Sequence, residues 1–210
     1  CALEIAQLAR IIAIAVDPVV ISTLLNIGRM ISAAAEQSPL IMGFLLGGIM
    51  KMICTSPLSS MALTAMLGLD GLAMGIAAIA CVGGSFTNGI IFDRLKLGER
   101  SNVMAVMLEP LTQADIITQN PIPIYGSNFF GGGLAGLAAA MLGIINNAPG
   151  TASPIPGLLA PFGFNPPLKV VAAIVLAAIG GSLAGFVGSI VFNGFAKTPA
   201  DIKASEKATE

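Results

Sequence analysis

Residues 71–92 read GLAMGIAAIACVGGSFTNGIIF, without a single Asp, Glu, Lys or Arg. A helix needs about 20 predominantly apolar residues to cross the hydrocarbon layer of a bilayer, and this run supplies them. Its Gly, Ala and Ser content suits close approach of neighbouring helices in lipid, where apolar burial alone does not drive association. Working outward, residues 116–168 and 170–196 are also free of charge. Over all 210 residues, 55% are hydrophobic and 10% charged, against about 25% charged in a soluble domain. The mean hydropathy is +0.89. These figures define an integral membrane protein of the all-α class.

Composition excludes several functions. Histidine is absent, which removes Ser-His and Cys-His nucleophile pairs, His-ligated metals and a phosphohistidine. A net charge of −1 with ten scattered basic residues is no nucleic-acid footprint. Cys1, Cys54 and Cys81 have no CxxC spacing and read as small buried hydrophobes, so no metal and no cofactor site is expected. No catalytic constellation with a base is present. Trp is absent and Tyr125 stands alone, so an aromatic interface belt is nearly missing. The start at Cys1, without Met, reads as a fragment or processed product preceded by a missing segment.

The chain divides into an N-terminal part (1–37), a transport-like membrane part (38–195) and a polar, cytoplasmic tail (196–210). Pro18 and Asp17 interrupt the first part, which predicts two helical pieces meeting there. PLIMGFLLGGIMKMIC (39–54) predicts a span, with Lys51 near enough to its end to snorkel. Ser56-Pro57-Leu58 opens an apolar stretch too short to cross, ending at Gly68-Leu69-Asp70-Gly71, which predicts a re-entrant or broken half-helix. Asp70 reads as a turn residue or a substrate or partner contact. The cluster Asp93, Arg94, Lys96, Glu99 and Arg100 must lie in water. Residues 127–147 predict another Gly/Ala-rich span, 146–167 a proline-broken segment, and 168–195 the longest span. Thr198-Pro199-Ala200-Asp201 predicts a short helix start in the tail.

An internal repeat ties these parts together. Shifted by 97 residues, Ser56-Pro57-Leu58 falls on Ser153-Pro154-Ile155, and Gly83-Gly84-Ser85 on Gly180-Gly181-Ser182. Gly68-Leu69-Asp70 answers Gly163-Phe164-Asn165, and Ile90-Ile91-Phe92 answers Ile190-Val191-Phe192. Repeats of about 39–92 and 127–195 follow, each with a half-helix beginning near Ser56 or Ser153. Such helix starts aim N–H groups inward and suit hydroxyl or anionic oxygens. The plainer alternative is a pair of proline-disrupted packing segments. Basic residues in the 93–100 loop and the tail favour one cytoplasmic side for both, which requires 102–125 to enter without crossing. If that segment crosses instead, the repeats are inverted.

The densest polar stretch inside the apolar region is LEPLTQADIITQNPIPIYGSN (108–128). On a helix of about ten residues between Pro110 and Pro121, Glu109, Gln113 and Asn120 form one stripe and Thr112, Asp115 and Gln119 the next. Carboxylates and amides that accept and donate hydrogen bonds suit a polyhydroxylated solute. The alternative is an amphipathic helix lying flat at the interface. The candidate substrate-binding residues are therefore Glu109, Gln113, Asp115, Gln119, Asn120, Ser56 and Ser153.

The runs PLSSMALTAMLGLDGLAMGIAAIACVGG (57–84) and QNPIPIYGSNFFGGGLAG (119–136) resemble the membrane-embedded IIC-type proteins of the bacterial sugar phosphotransferase system, most of all the divergent PfoR-like branch. The resemblance implies a multi-span, homodimeric inner-membrane permease that binds a carbohydrate and moves it inward, with phosphotransfer left to partner IIA and IIB components. The Gly-Ile-Thr-Glu-like motif that supplies a sugar-binding glutamate in better-known members is missing, so Glu109 and Asp115 are candidates from this sequence and not from the family. The second reading is a membrane regulator or sensor that keeps the fold without transport.

Overall fold

The computed structural model describes residues 2–199, with side chains at residue 18 and from residue 20 onward. No strand occurs among the described residues. The tail-helix expectation at 198–201 lies largely outside them. The first element, α1 (Ala2–Gln37), runs unbroken through Pro18, which corrects the expected break at Asp17-Pro18. Proline removes one backbone hydrogen bond, whereas ending a helix exposes several polar groups that lipid cannot satisfy.

Helix α2 (Pro39–Thr55) is the predicted second span. The next helix, α3 (Ser60–Met66), has seven residues, about 10 Å of rise, and cannot cross. It is capped by Ser59, whose side chain accepts from Ala62 N at 3.1 Å. Ser56 instead closes α2, donating its hydroxyl to Ile53 O at 2.7 Å. The half-helix therefore begins three to four residues later than the Ser-Pro signal suggested. Helix α4 (Gly71–Arg94) follows, with Asp70 at its N-cap position and no side-chain bond from it to the helix.

The polar stretch is split. Helix α5 (Arg100–Leu108) ends at Glu109, a 3-10 turn covers Pro110–Gln113, and α6 spans Ala114–Gln119. Pro121 both ends this run and occupies the start of α7 (Pro121–Met141). This span begins and ends about six residues earlier than predicted. Proline at the first helical position loses no intrahelical bond, so it starts a helix here instead of merely stopping one. Past α7 the chain is irregular as far as α8 (Pro154–Leu159), which continues into a 3-10 turn (Ala160–Gly163). The last long helix, α9 (Pro167–Val191), is followed by a 3-10 turn at Asn193–Phe195.

Four helices carry the core. Gly43 and Gly47 of α2 lie against Gly136 and Gly132 of α7, so these two run antiparallel. Helices α4 and α9 run parallel: Thr87 Oγ1 donates to Gly181 O at 2.9 Å, and Arg94 Nε to Ser189 Oγ at 2.8 Å. Gly83 and Gly181 meet in this interface, whereas Gly84 faces Lys51 of α2 and Gly180 faces Leu134 of α7. A Cβ on Gly181 would overlap the Gly83 carbonyl, so only glycine permits that approach. Among the described residues, α4 and α9 are the two helices long and apolar enough to cross a membrane. They differ in surroundings: the core-facing α4 is 89% buried over its apolar window and α9 only 33%. Large apolar side chains of α9, among them Val175, Ile179, Leu183, Val187 and Ile190, point outward. Such a face suits lipid, not water.

One end of the bundle is laced together. Asn146 N donates to Gly71 O at 2.9 Å, and Gly71 N to Asn147 Oδ1 at 3.1 Å. From the other side, Asn165 accepts from Ile145 N at 3.1 Å and donates to Ile145 O at 2.7 Å. Lys169 Nζ reaches Gly143 O at 2.9 Å. The two Ser-Pro segments are joined as well, since Ser60 Oγ donates to Ala152 O at 2.6 Å. At the opposite end Arg94 also stacks on Phe186, 4.3 Å from the ring centre. There Asn120 pairs with the Lys197 backbone, accepting from its N at 2.7 Å and donating to its O at 3.2 Å. The 93–100 loop, the start of α7 and the residues after α9 thus share one end of the bundle, and 102–120 leaves from and returns to that end.

Candidate functional site

Between the two ends, α4 changes character. Ala73 to Cys81 belong to one buried apolar cluster, shared with α2, α7 and α9. Ile91 and Phe92, with Leu95 and Leu97 just beyond the helix, belong to another, shared with Val106, Ile117 and Ile124. Separating them is a polar layer: Ser85, Thr87 and Asn88 of α4, Thr55 of α2, and Ser127 and Asn128 of α7, all buried. Asn88 lies six residues before the end of α4, about 9 Å at helical rise, which is well inside a hydrocarbon layer of about 30 Å.

The layer is bonded across three helices. Asn128 Nδ2 donates to Asn88 Oδ1 at 2.6 Å and to Ile124 O at 2.9 Å. Asn88 Nδ2 reaches Thr55 Oγ1 at 3.5 Å. Hydroxyls that would otherwise be stranded turn back onto their own helices, Ser85 to Cys81 O at 3.1 Å and Ser127 to Pro123 O at 2.7 Å. Two buried atoms among the described residues have no partner: Lys51 Nζ and Asn128 Oδ1.

Lys51 departs from expectation. It is fully buried and does not snorkel. Its stem passes Gly132 at Cβ and lies along Gly84 with Cδ and Cε; a Cβ on either glycine would overlap it. Because α2 is enclosed by α4 and α7 at that point, no route to the interface is open to the side chain. Cys54, three residues on along α2, and Cys81 of α4 are buried free thiols.

The 108–128 residues are distributed differently from the predicted stripes. Glu109, Asp115 and Gln119 are exposed, whereas Gln113 and Asn120 are buried. Gln113 Oε1 accepts from Asn102 Nδ2 at 2.6 Å, and its Nε2 donates to Thr112 O at 2.9 Å. Asn120 holds Lys197, as described above. The 3-10 turn at Pro110–Gln113 advances about 120° per residue instead of 100°, so Glu109 and Gln113 part company with the α-helical spacing. Ser153 is buried at the N-cap position of α8 without a capping bond, and Ser56 is half-buried at the end of α2. Glu109, Gln113, Asp115, Gln119 and Asn120 thus share one segment, while Ser56 and Ser153 sit on the two joined Ser-Pro segments. Sequence reasoning missed Lys51, Thr55, Asn88 and Asn128. The available signal was one ammonium and two amides inside apolar runs, each asparagine four residues from a glycine that faces Lys51. Among the described residues no three His, Cys, Asp or Glu converge.

An all-helical chain, apolar outside and with a polar, partly unpaired layer inside, defines a membrane protein that can hold a polar group at depth. The sequence matches the family described as Phosphotransferase system, EIIC, over residues 2–202; the chain belongs to that family and is a membrane component of that transport system. No curated protein and no solved structure matches it.

Proposed function

We propose that the chain is a IIC-like permease of the bacterial inner membrane that binds a carbohydrate and translocates it inward, for phosphorylation by IIA and IIB partners. The observation that carries this reading is the buried polar layer at Thr55, Asn88 and Asn128 with its two unpartnered atoms. A purely structural core would be stabilised by replacing such groups with apolar ones, whereas a hydroxylated solute satisfies donors and acceptors of this kind.

In this reading Glu109, Gln113, Asp115, Gln119 and Asn120 line the approach from the end that carries the 93–100 loop. The α3 and α8 segments, with Ser56 and Ser153 beside them, are re-entrant elements of two related repeats, and the chain pairs as a homodimer. Support for the repeats comes from the parallel course of α4 and α9 and the contact between Gly83 and Gly181. Support for an inward-facing partner surface comes from Arg94, Lys96, Arg100 and Lys197 lying at one end.

Uptake of a panel of labelled carbohydrates into cells producing the protein with IIA and IIB components tests the reading. Glu109→Gln or Asp115→Asn is expected to abolish uptake while insertion and assembly persist. Unchanged uptake in both variants overturns this site assignment. Ligand binding without flux in reconstituted vesicles would instead assign the chain to the regulator class.

A further inference from the structure

We infer that Lys51 and Asn128 are two halves of a subsite for an α-hydroxycarboxylate, so that the solute held between α2, α4 and α7 is a sugar acid and not a neutral sugar. This rests on the carbohydrate-binding reading above and narrows it to an anionic class.

Lys51 Nζ carries three donors and no acceptor, and it is fully buried with none of them used. An isolated ammonium at this depth costs several kcal/mol, and no side chain bonds it: Glu109 is exposed, and the nearby thiols of Cys54 and Cys81 make no bond to Nζ. The missing partner is therefore an acceptor that brings negative charge. Asn128 Oδ1 is the complementary vacancy, an acceptor waiting for a donor. Its Nδ2 is fixed by Asn88 Oδ1 and Ile124 O, which orients the amide and leaves Oδ1 unused.

The two residues meet the same face of α7 on adjacent turns. Lys51 lies on Gly132 of α7, and Asn128 is four residues earlier on that helix. A carboxylate answers the ammonium and a neighbouring hydroxyl answers the amide oxygen, which is the functional pair at one end of an aldonate. A free inorganic anion offers no hydroxyl, and a neutral polyol brings no charge. Gly84 and Gly132 specify the position further, because any side chain there would displace the lysine stem.

The test measures ligand-dependent thermal stabilisation of the purified full chain in nanodiscs. Gluconate and galactonate are compared with their neutral amides, and glucuronate and galacturonate with the parent sugars. At least one acid is expected to raise the melting temperature while its neutral counterpart binds at least tenfold more weakly. Lys51→Met, similar in volume, is expected to melt no lower than the parent without ligand and to lose the response to the acid. A neutral sugar or amide that stabilises as well as its acid, equally in Lys51→Met, overturns the anionic subsite and leaves carbohydrate binding standing. Failure of acids and neutral sugars alike overturns both. Should Lys51→Met fail to fold, the acid-against-amide comparison on the parent protein decides alone.

Discussion

Asn88 is the middle member of a three-residue chain, accepting from Asn128 and donating to Thr55. Replacing it takes one of two bonds from Asn128, which keeps Ile124 O, and removes the Thr55 contact; a buried polar group that loses its partner costs about 1–3 kcal/mol. Asn88→Ala is therefore expected to lower stability by about 2 kcal/mol, read as the midpoint of thermal unfolding in detergent. Gly181 acts through shape instead. A side chain there would meet the Gly83 carbonyl, a backbone atom that cannot step aside. Gly181→Leu is expected to cost more than about 3 kcal/mol by overpacking or to prevent assembly, visible as loss of the monodisperse peak in size-exclusion chromatography. These residues also show why part of the site escaped the sequence. A lysine near the end of an apolar run looks free to snorkel, because its neighbours along the chain say nothing of the helices that enclose it. Gln113 and Asn120 gave a genuine polar signal, but a helical wheel cannot tell an amide that binds solute from one that holds Asn102 or Lys197 in place.

At the scale of elements, apolar length was readable and endpoints were not. Helices α4 and α9 fall where charge-free runs put them, since a span is set by its length and composition. The α7 register moved because proline can start a helix as well as end one. Continuity of α1 through Pro18 follows from the same solvent argument, which one chain position could not reveal. The residues after α9 are held by a contact between distant elements: both hydrogen bonds of the Asn120 side chain to Lys197 are needed to pin them. Asn120→Ala is expected to release the segment from Ala196 onward, seen as faster proteolysis after Lys197, and to cost about 1–2 kcal/mol. An unchanged cleavage rate would show that the turn at Asn193–Phe195 suffices to hold it.

For the whole molecule, the arrangement of ends constrains topology. Arg94 meets Ser189 and Asn120 meets Lys197, so the basic loop and the start of the tail lie at one end of the bundle, and we propose that they face one compartment. Lys96→Cys and Lys197→Cys, in a background with the native cysteines replaced, are expected to react with an impermeant maleimide from the same side only. Labelling from opposite sides would mean that 102–120 crosses. The sequence left this open because charge bias orients a protein only once the number of crossings is known. The distances that decide it connect residues 77 or more positions apart.

The lacing at Gly71, Asn146, Asn147, Asn165, Lys169 and Ser60 has a mechanical consequence. Six hydrogen bonds fasten that end, and at about 1 kcal/mol each parting it costs roughly 6 kcal/mol. The Arg94 and Asn120 clasps hold the opposite end with half as many. Stiffness is thus unequal along the bundle axis. In the permease reading proposed above, a solute held at the polar layer would leave at the basic end, where fewer bonds must part, and the laced end would stay shut behind it.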